Sequence, residues 1–432
     1  MKILVMAPQP FFAPRGVPFS IYAQLRALSE LGYQADLVTY PLGEPVALAG
    51  VRIWRIPGLP LIREVPVGPS PAKLLFDLLL FLWTCWRLCC QRYDCLCTHE
   101  EAGAFGVLLA ALFRCRHVYY MHSHLAQQAA CLGYEHQRWL LWGLHRLQAW
   151  ILRHANAVVA ICPALEREAW QMGARKTYVI ENVALPEGLL PAAEDGGKGA
   201  EQQPVAAAAT ATESSDPPAA LTLVQRKAGM AVDRPGFGSA SQGMGPLLLY
   251  TGTLERYQGI ELLLESAVMV RQRCPAVRYQ IIGGRQDQVA ALRALCCRLG
   301  IEECVEILGQ RPPSEVAAYM KQATILVSPR CAGTNMPLKL ASYLHSGKPV
   351  LATSIAAHTQ VLNPEVALLV PPTSQGLAAG TLLLLENATY ARALACAAKR
   401  FAARRWSWSA FVRQQQRLYA DVVAAEMRRF PR

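Results

Sequence analysis

Charged side chains are scarce in this chain. Only 17% of its 432 residues are Asp, Glu, Lys or Arg, against 53% that are hydrophobic. A disordered polyelectrolyte is excluded, and most of the chain must fold around apolar cores. The fourteen cysteines contain no Cys-x-x-Cys pair, and the nine histidines show no ligand spacing to them. Cys89–Cys90, Cys95-x-Cys97 and Cys296–Cys297 lie inside apolar helix or strand patterns. Buried reduced thiols are therefore expected, not a disulfide framework or a metal site. A long uninterrupted apolar run is also missing. The nearest to one, Lys73–Cys90, is broken by Asp77 and Arg87. A span needs roughly 20 apolar residues, and an Asp at mid-segment costs about 3 kcal/mol. That stretch reads as a helix buried in the core or lying on a membrane surface. Residues 1–7 enter a strand pattern at once, without the pattern of a signal peptide. A cytoplasmic chain is expected, with peripheral attachment at the inner membrane surface left open.

What charge there is sums to +12 and is unevenly placed. Residues 399–432 hold nine Lys or Arg against two acids and read as one basic terminal helix. Such an end suits anionic lipid or a phosphorylated substrate, or is a solvated helix face. Nucleic acid is not expected as a partner.

At 432 residues two domains are expected. Apolar strands alternate with amphipathic helices in both halves, which predicts an α/β chain of two Rossmann-like, doubly wound domains. The first covers residues 1–186. Its opening strand, Lys2–Ala7, leads into a loop containing Gly16 and a helix from Ser20, although that loop is not G-x-G-x-x-G. Residues 187–245 are rich in Ala, Gly, Pro, Ser and Gln and read as a disordered linker insertion. The second domain covers 246–398.

The most informative stretch is Ser328–Gln360. A buried-strand pattern ends at Ser328, and a loop with Pro329, Gly333, Thr334 and Asn335 follows. A helix is predicted to start near Pro337, and a second apolar strand follows Gly347-Lys348-Pro349. Unpaired N–H groups at such a helix start can bind a diphosphate, and Arg330 and Lys339 flank it.

Pro337, Lys339, Leu340, Tyr343 and Gly347-Lys348-Pro349-Val350 match the pattern P-x-K-L-x-E-Y-x-x-x-G-K-P-V. The stretch thereby resembles the donor-binding segment of glycosyltransferase family 4. These are retaining, metal-independent enzymes of the GT-B fold, in which two Rossmann-like domains face a cleft. The resemblance covers both domains and implies a nucleotide-sugar substrate, no cofactor, and a glycan or lipid-linked acceptor. It implies that the last helix, 399–432, crosses back to the first domain. By the same resemblance His122, Lys339 and Arg330 carry catalysis. Donor contacts fall to Gly16, Gly252, Thr253, Gln258, Gly283, Gly284, Thr334, Asn335 and Ser342. Two departures stand out. The family's paired glutamates fall on Thr334 and Ser342, and an Arg and a Lys near the diphosphate fall on Thr253 and Gln258. A catalytically silent GT-B partner subunit is thus the alternative, with a sugar-nucleotide epimerase chemistry behind it. On the first domain, His99, Glu100, Glu101, His122 and His124 stand at strand ends, where one crevice could collect them.

Overall fold

The computed structural model describes residues 1–12, 16–58, 62, 70–184 and 245–427. The linker stretch lies outside the described residues apart from Gly245. Seven strands build the first lobe: β1 (Lys2–Ala7), β2 (Gln34–Thr39), β3 (Val51–Arg55), β4 (Cys95–His99), β5 (Arg116–Met121), β6 (Ala157–Ala160) and β7 (Thr177–Val179). The second lobe has six: β8 (Leu247–Thr251), β9 (Arg278–Ile282), β10 (Val305–Gly309), β11 (Ile325–Ser328), β12 (Val350–Thr353) and β13 (Leu368–Val370).

The first sheet runs β3-β2-β1-β4-β5-β6-β7 and the second β10-β9-β8-β11-β12-β13. Every pairing in both is parallel. Parallel strands are covered by helices on both faces, so their sequences are apolar throughout instead of alternating. Strands β4 and β8 are buried at all five positions. In each sheet the order of strand addition reverses at the centre, between β1 and β4 and between β8 and β11. Beyond the carboxyl ends of those strands lies the crevice where such sheets bind ligands. The two domains expected from the sequence are therefore both doubly wound.

Three sequence-based boundaries move. The first helix runs Gly16–Glu30, starting before Ser20, because Pro18 in its opening turn lacks only an N–H that has no partner there anyway. The helix after β11 is Lys339–His345, starting two residues past Pro337. At seven residues it has little macrodipole, so nearby cations must supply most of the positive potential. Third, the basic 399–432 stretch is not one helix. A helix Ala388–Arg405 ends, and another, Trp408–Met427, begins. The break is held by Glu181, whose carboxylate takes two bonds of 2.7 Å from Arg405 and one of 2.8 Å from the Trp406 indole. Trp406 is buried, and its φ of −119° departs from the helix.

The helix Trp408–Met427 lies against the first lobe. Gln24 Nε2 donates to Tyr419 Oη at 2.8 Å, Tyr120 Oη to Gln415 at 2.9 Å, and Tyr178 Oη to Asp421 at 2.8 Å. The helix Pro71–Cys90 is half core: Phe76 and Leu80 are buried while Leu74, Leu78 and Leu82 face outward. Among the described residues no helix is long and apolar enough to cross a membrane.

Candidate functional site

Between the lobes lies a cleft of about 960 Å³, lined from both sides. That is room for a ligand of nucleotide size.

Its second-lobe wall is made by the loops after β8, β9 and β11. The loops after β8 and β9 touch backbone to backbone. A Cβ on Gly283 would lie 1.9 Å from the Gly252 carbonyl oxygen, and Gly283 has φ +119°. Only glycine meets both conditions. Lys339 comes up beside this junction. Its Nζ lies 3.7 Å from the Tyr250 ring centroid and donates to Gln258 Oε1 at 3.4 Å. Gln258 Nε2 in turn donates to Thr253 Oγ1 at 3.4 Å. Lys339 and the loop carrying Gly252, Thr253 and Gln258, 81 residues apart at their nearest, are thus one wall.

Among the described residues no carboxylate pairs with Lys339. Burial first, and then the charge of Arg330, push its ammonium well below the usual lysine range. Arg330 itself is lowered by burial. Two cations crowd together without a counter-ion, which is the electrostatic complement of an anion.

Arg330 differs from Lys339 in what its donors do. Nε donates to Ala332 O at 2.7 Å, Nη1 to Asn335 O at 3.1 Å and Nη2 to Asn335 Oδ1 at 2.7 Å. Its guanidinium lies 5.0 Å from the Tyr257 ring centroid. The guanidinium therefore builds the loop that places Thr334 and Asn335, and contributes its charge to the cleft from there. Behind it, Thr353 Oγ1 donates to Arg330 O, and the buried His358 bonds Ser328 at 2.9 Å. Thr334 reaches across the cleft: its Oγ1 donates to Gln127 Oε1 of the first lobe at 2.7 Å. Ser342 and Gly284 also line the second-lobe wall.

On the first-lobe wall, Gly16 opens its helix at the cleft. His122 follows β5, is buried, and shares a 2.9 Å hydrogen bond between its Nε2 and His99 Nδ1. Burial holds it neutral, with its pKa down to about 4. His99 does not border the cleft but supports His122, stacked between it and Tyr120. His124 lines the cleft and caps the helix Leu125–Ala129, accepting from Gln127 N at 3.3 Å. Glu101 turns to Lys73 Nζ at 2.5 Å, whereas Glu100 borders the cleft.

Sequence reasoning missed Gln9, Lys73, Gln127, Glu255 and Arg285, all of which line the cleft. Arg285 is balanced there by Glu255 at 3.0 Å. The Gly283-Gly284-Arg285 run signalled the last of these; for Lys73, inside an apolar helix, nothing did.

Comparison with known proteins places these observations. Residues 245–387 match the family described as "Glycosyl transferases group 1", and residues 15–182 match "Glycosyl transferase 4-like domain". The Mycobacterium tuberculosis protein named phosphatidyl-myo-inositol mannosyltransferase is 32% identical over 207 residues, covering 45% of this chain and 53% of that protein. The chain spans about half the length of the curated relatives it matches. Among solved structures, sucrose-phosphate synthase from Thermosynechococcus elongatus superposes with a TM-score of 0.73 at 18% identity, covering 98% of this chain and 99% of that one. HepE of Anabaena, solved with UDP-glucose, gives 0.66 at 17% identity, covering 98% and 100%. The fold is GT-B.

Proposed function

The chain belongs to the group 1 glycosyl transferases, and on that premise we propose that it moves a sugar from a nucleotide-sugar donor to a hydroxyl of a glycan or lipid-linked acceptor. Residues 1–186 form the acceptor side and 246–398 the donor side. The observation that carries this reading is the uncompensated pair Lys339 and Arg330, set in an open cleft where a diphosphate would supply the missing negative charge. A fold kept only as a partner subunit would have no use for a half-buried lysine crowded by a buried arginine, with no counter-ion among the described residues.

In the reaction the donor diphosphate sits against Lys339, the Gly252–Thr253 loop and the amide of Gln258. Asn335 and Thr334 stand beside it, with Ser342, Gly283 and Gly284 further along the same wall. The acceptor oxygen bonds to the sugar C1 as the bond from C1 to the diphosphate oxygen breaks. The diphosphate leaves with the electron pair, and one of its oxygens takes the acceptor's proton. Attack from the leaving-group face retains configuration. The protein's work is placement and charge stabilisation. Lys339 neutralises charge that grows on the leaving group, and His122, neutral, orients hydroxyls opposite. No carboxylate at 334 or 342 holds sugar and ribose, so main-chain amides and hydroxyls carry that recognition.

The lipid acceptor in the name of the mycobacterial relative supports a membrane-proximal substrate. An exposed patch on the first lobe supports this reading. Trp139 and Trp142 are 75% and 65% exposed beside Arg138 and Arg146, an apolar-plus-basic pairing that suits an anionic bilayer. Flotation with phosphatidylglycerol vesicles tests this contact: the protein is expected to float, and recovery only in the pellet would refute it. The donor reading is tested by thermal shift against UDP-, GDP- and ADP-sugars, beginning with UDP-glucose. If none raises the melting temperature, the transferase reading is wrong.

A further inference from the structure

Glu100 is the acidic group that the first lobe presents to the cleft, and its setting is unusual. It sits immediately after β4 with φ +50°, a left-handed conformation that a glutamate seldom adopts. Its side chain is 4% exposed. Oε2 accepts from Gln9 Nε2 at 2.6 Å, while Oε1 has no hydrogen-bond partner among the described residues. Around it, Glu101 is taken by Lys73 at 2.5 Å and Asp77 by the Tyr40 hydroxyl at 2.5 Å. Of these three carboxyls, Glu100 is the one that borders the cleft. His122 provides an independent second group of this kind. It is equally buried, borders the same cleft, and its Nδ1 has no partner among the described residues.

Gln9, Lys73, Glu100 and His122 come from four chain segments and line one cavity. An ammonium, an amide, an imidazole and a carboxyl alternate donors with acceptors. An amine would be repelled by Lys73, and an anionic centre by Glu100. A ring bearing several neutral hydroxyls suits both, because each hydroxyl donates and accepts.

Resting on the transferase reading above, we propose that Glu100 binds the acceptor, accepting a hydrogen bond from a hydroxyl of a ring polyol, a sugar or cyclitol, next to the hydroxyl that reacts. Lys73 donates to the neighbouring oxygen of the same ring. The reacting proton still passes to the leaving diphosphate, so Glu100 gains and loses none in the transfer. Burial, and then the charge of Glu101, raise the Glu100 carboxyl to about 7, with Lys73 and Gln9 acting against the rise and Asp77 adding to it. The hydrogen bond to an ionised carboxyl is the stronger. Polyol affinity should therefore improve as pH rises through about 7.

The experiment uses the whole chain and whichever nucleotide sugar the thermal-shift panel selects, with nucleotide release as the readout. The acceptor probes are free myo-inositol, methyl α-D-mannopyranoside and 1-propanol. Vesicles of phosphatidylinositol or phosphatidylcholine distinguish a lipid-borne ring from a free one. At least one ring polyol, free or on vesicles, is expected to accelerate release, and propanol is not. Glu100→Gln should raise that polyol's KM at least tenfold and abolish its pH dependence, with donor Kd as the control for an intact second lobe. Gln9→Ala, which leaves all three carboxyls in place, should raise the same KM several-fold and guards against misfolding of the first variant. Donor turnover that no ring polyol accelerates, or an unchanged polyol KM in Glu100→Gln, overturns the proposal and leaves the donor reading standing. Absence of any donor binding removes both.

Discussion

Replacing Lys339 by alanine removes a cation that the empty protein holds without a counter-ion. Two opposite effects follow. Without ligand, burial and Arg330 keep the Lys339 pKa well below its value in an unfolded chain. The folded state therefore binds fewer protons than the unfolded one between those two values, and stability rises with pH there. Removal of Lys339 should therefore stabilise the ligand-free protein below that window, read as a higher Tm than wild type. With a nucleotide sugar the sign reverses. A charge-assisted hydrogen bond to diphosphate is worth about 1.5–3 kcal/mol, so Lys339→Ala should weaken donor binding about 10- to 150-fold. The same group makes binding pH-dependent. A diphosphate raises the pKa of Lys339, so between its free and bound values the donor binds with uptake of a proton. Affinity then falls as pH rises through that window and is flat on either side. Calorimetry in two buffers of different ionisation enthalpy, repeated across a pH series below the titration of the donor's base, reads the uptake directly. Wild type should show a difference between the buffers, and Lys339→Ala none. A variant that melts lower than wild type yet binds the donor equally well would refute the electrostatic reasoning.

Other perturbations separate the parts of the cleft. Arg330→Ala strands the three acceptors that its guanidinium serves. A loss of about 2–4 kcal/mol in urea unfolding is expected, and Arg330→Lys should not rescue it because an ammonium lacks the planar fork. Gly283→Ala drives a methyl into the Gly252 carbonyl and should cost about 3 kcal/mol or more, visible as loss of soluble, cooperatively melting protein. Gln127→Ala removes the bond from Thr334 that spans the cleft. Melting should barely change, while donor KM rises about fivefold, for a bond worth about 1 kcal/mol to closure.

Much of this molecule is legible in the order of its residues. The strand and helix pattern of both lobes follows from apolar runs punctuated by glycine and proline, because parallel strands covered on both faces admit little else. Lys339, Gln258, Thr253 and Gly252 can be named in advance and do converge. What cannot be read is how a side chain spends its donors. Arg330 looks like a free phosphate ligand in sequence, yet its donors are used within its own loop. Lys73 looks like the polar start of an apolar helix, yet it lines the cleft. Trp406-Ser-Trp408 does resemble the start of the family's last helix, but the cause of the break, Glu181, is a partner 225 residues away. Each of these depends on contacts remote along the chain, which no local pattern encodes.

Glu181 precedes the point where the backbone leaves the first lobe, and Arg405 and Trp406 precede the point where it comes back. One carboxylate thus rivets the returning passage to the segment that follows β7, so the chain's way back is fixed at its landing point on the first lobe.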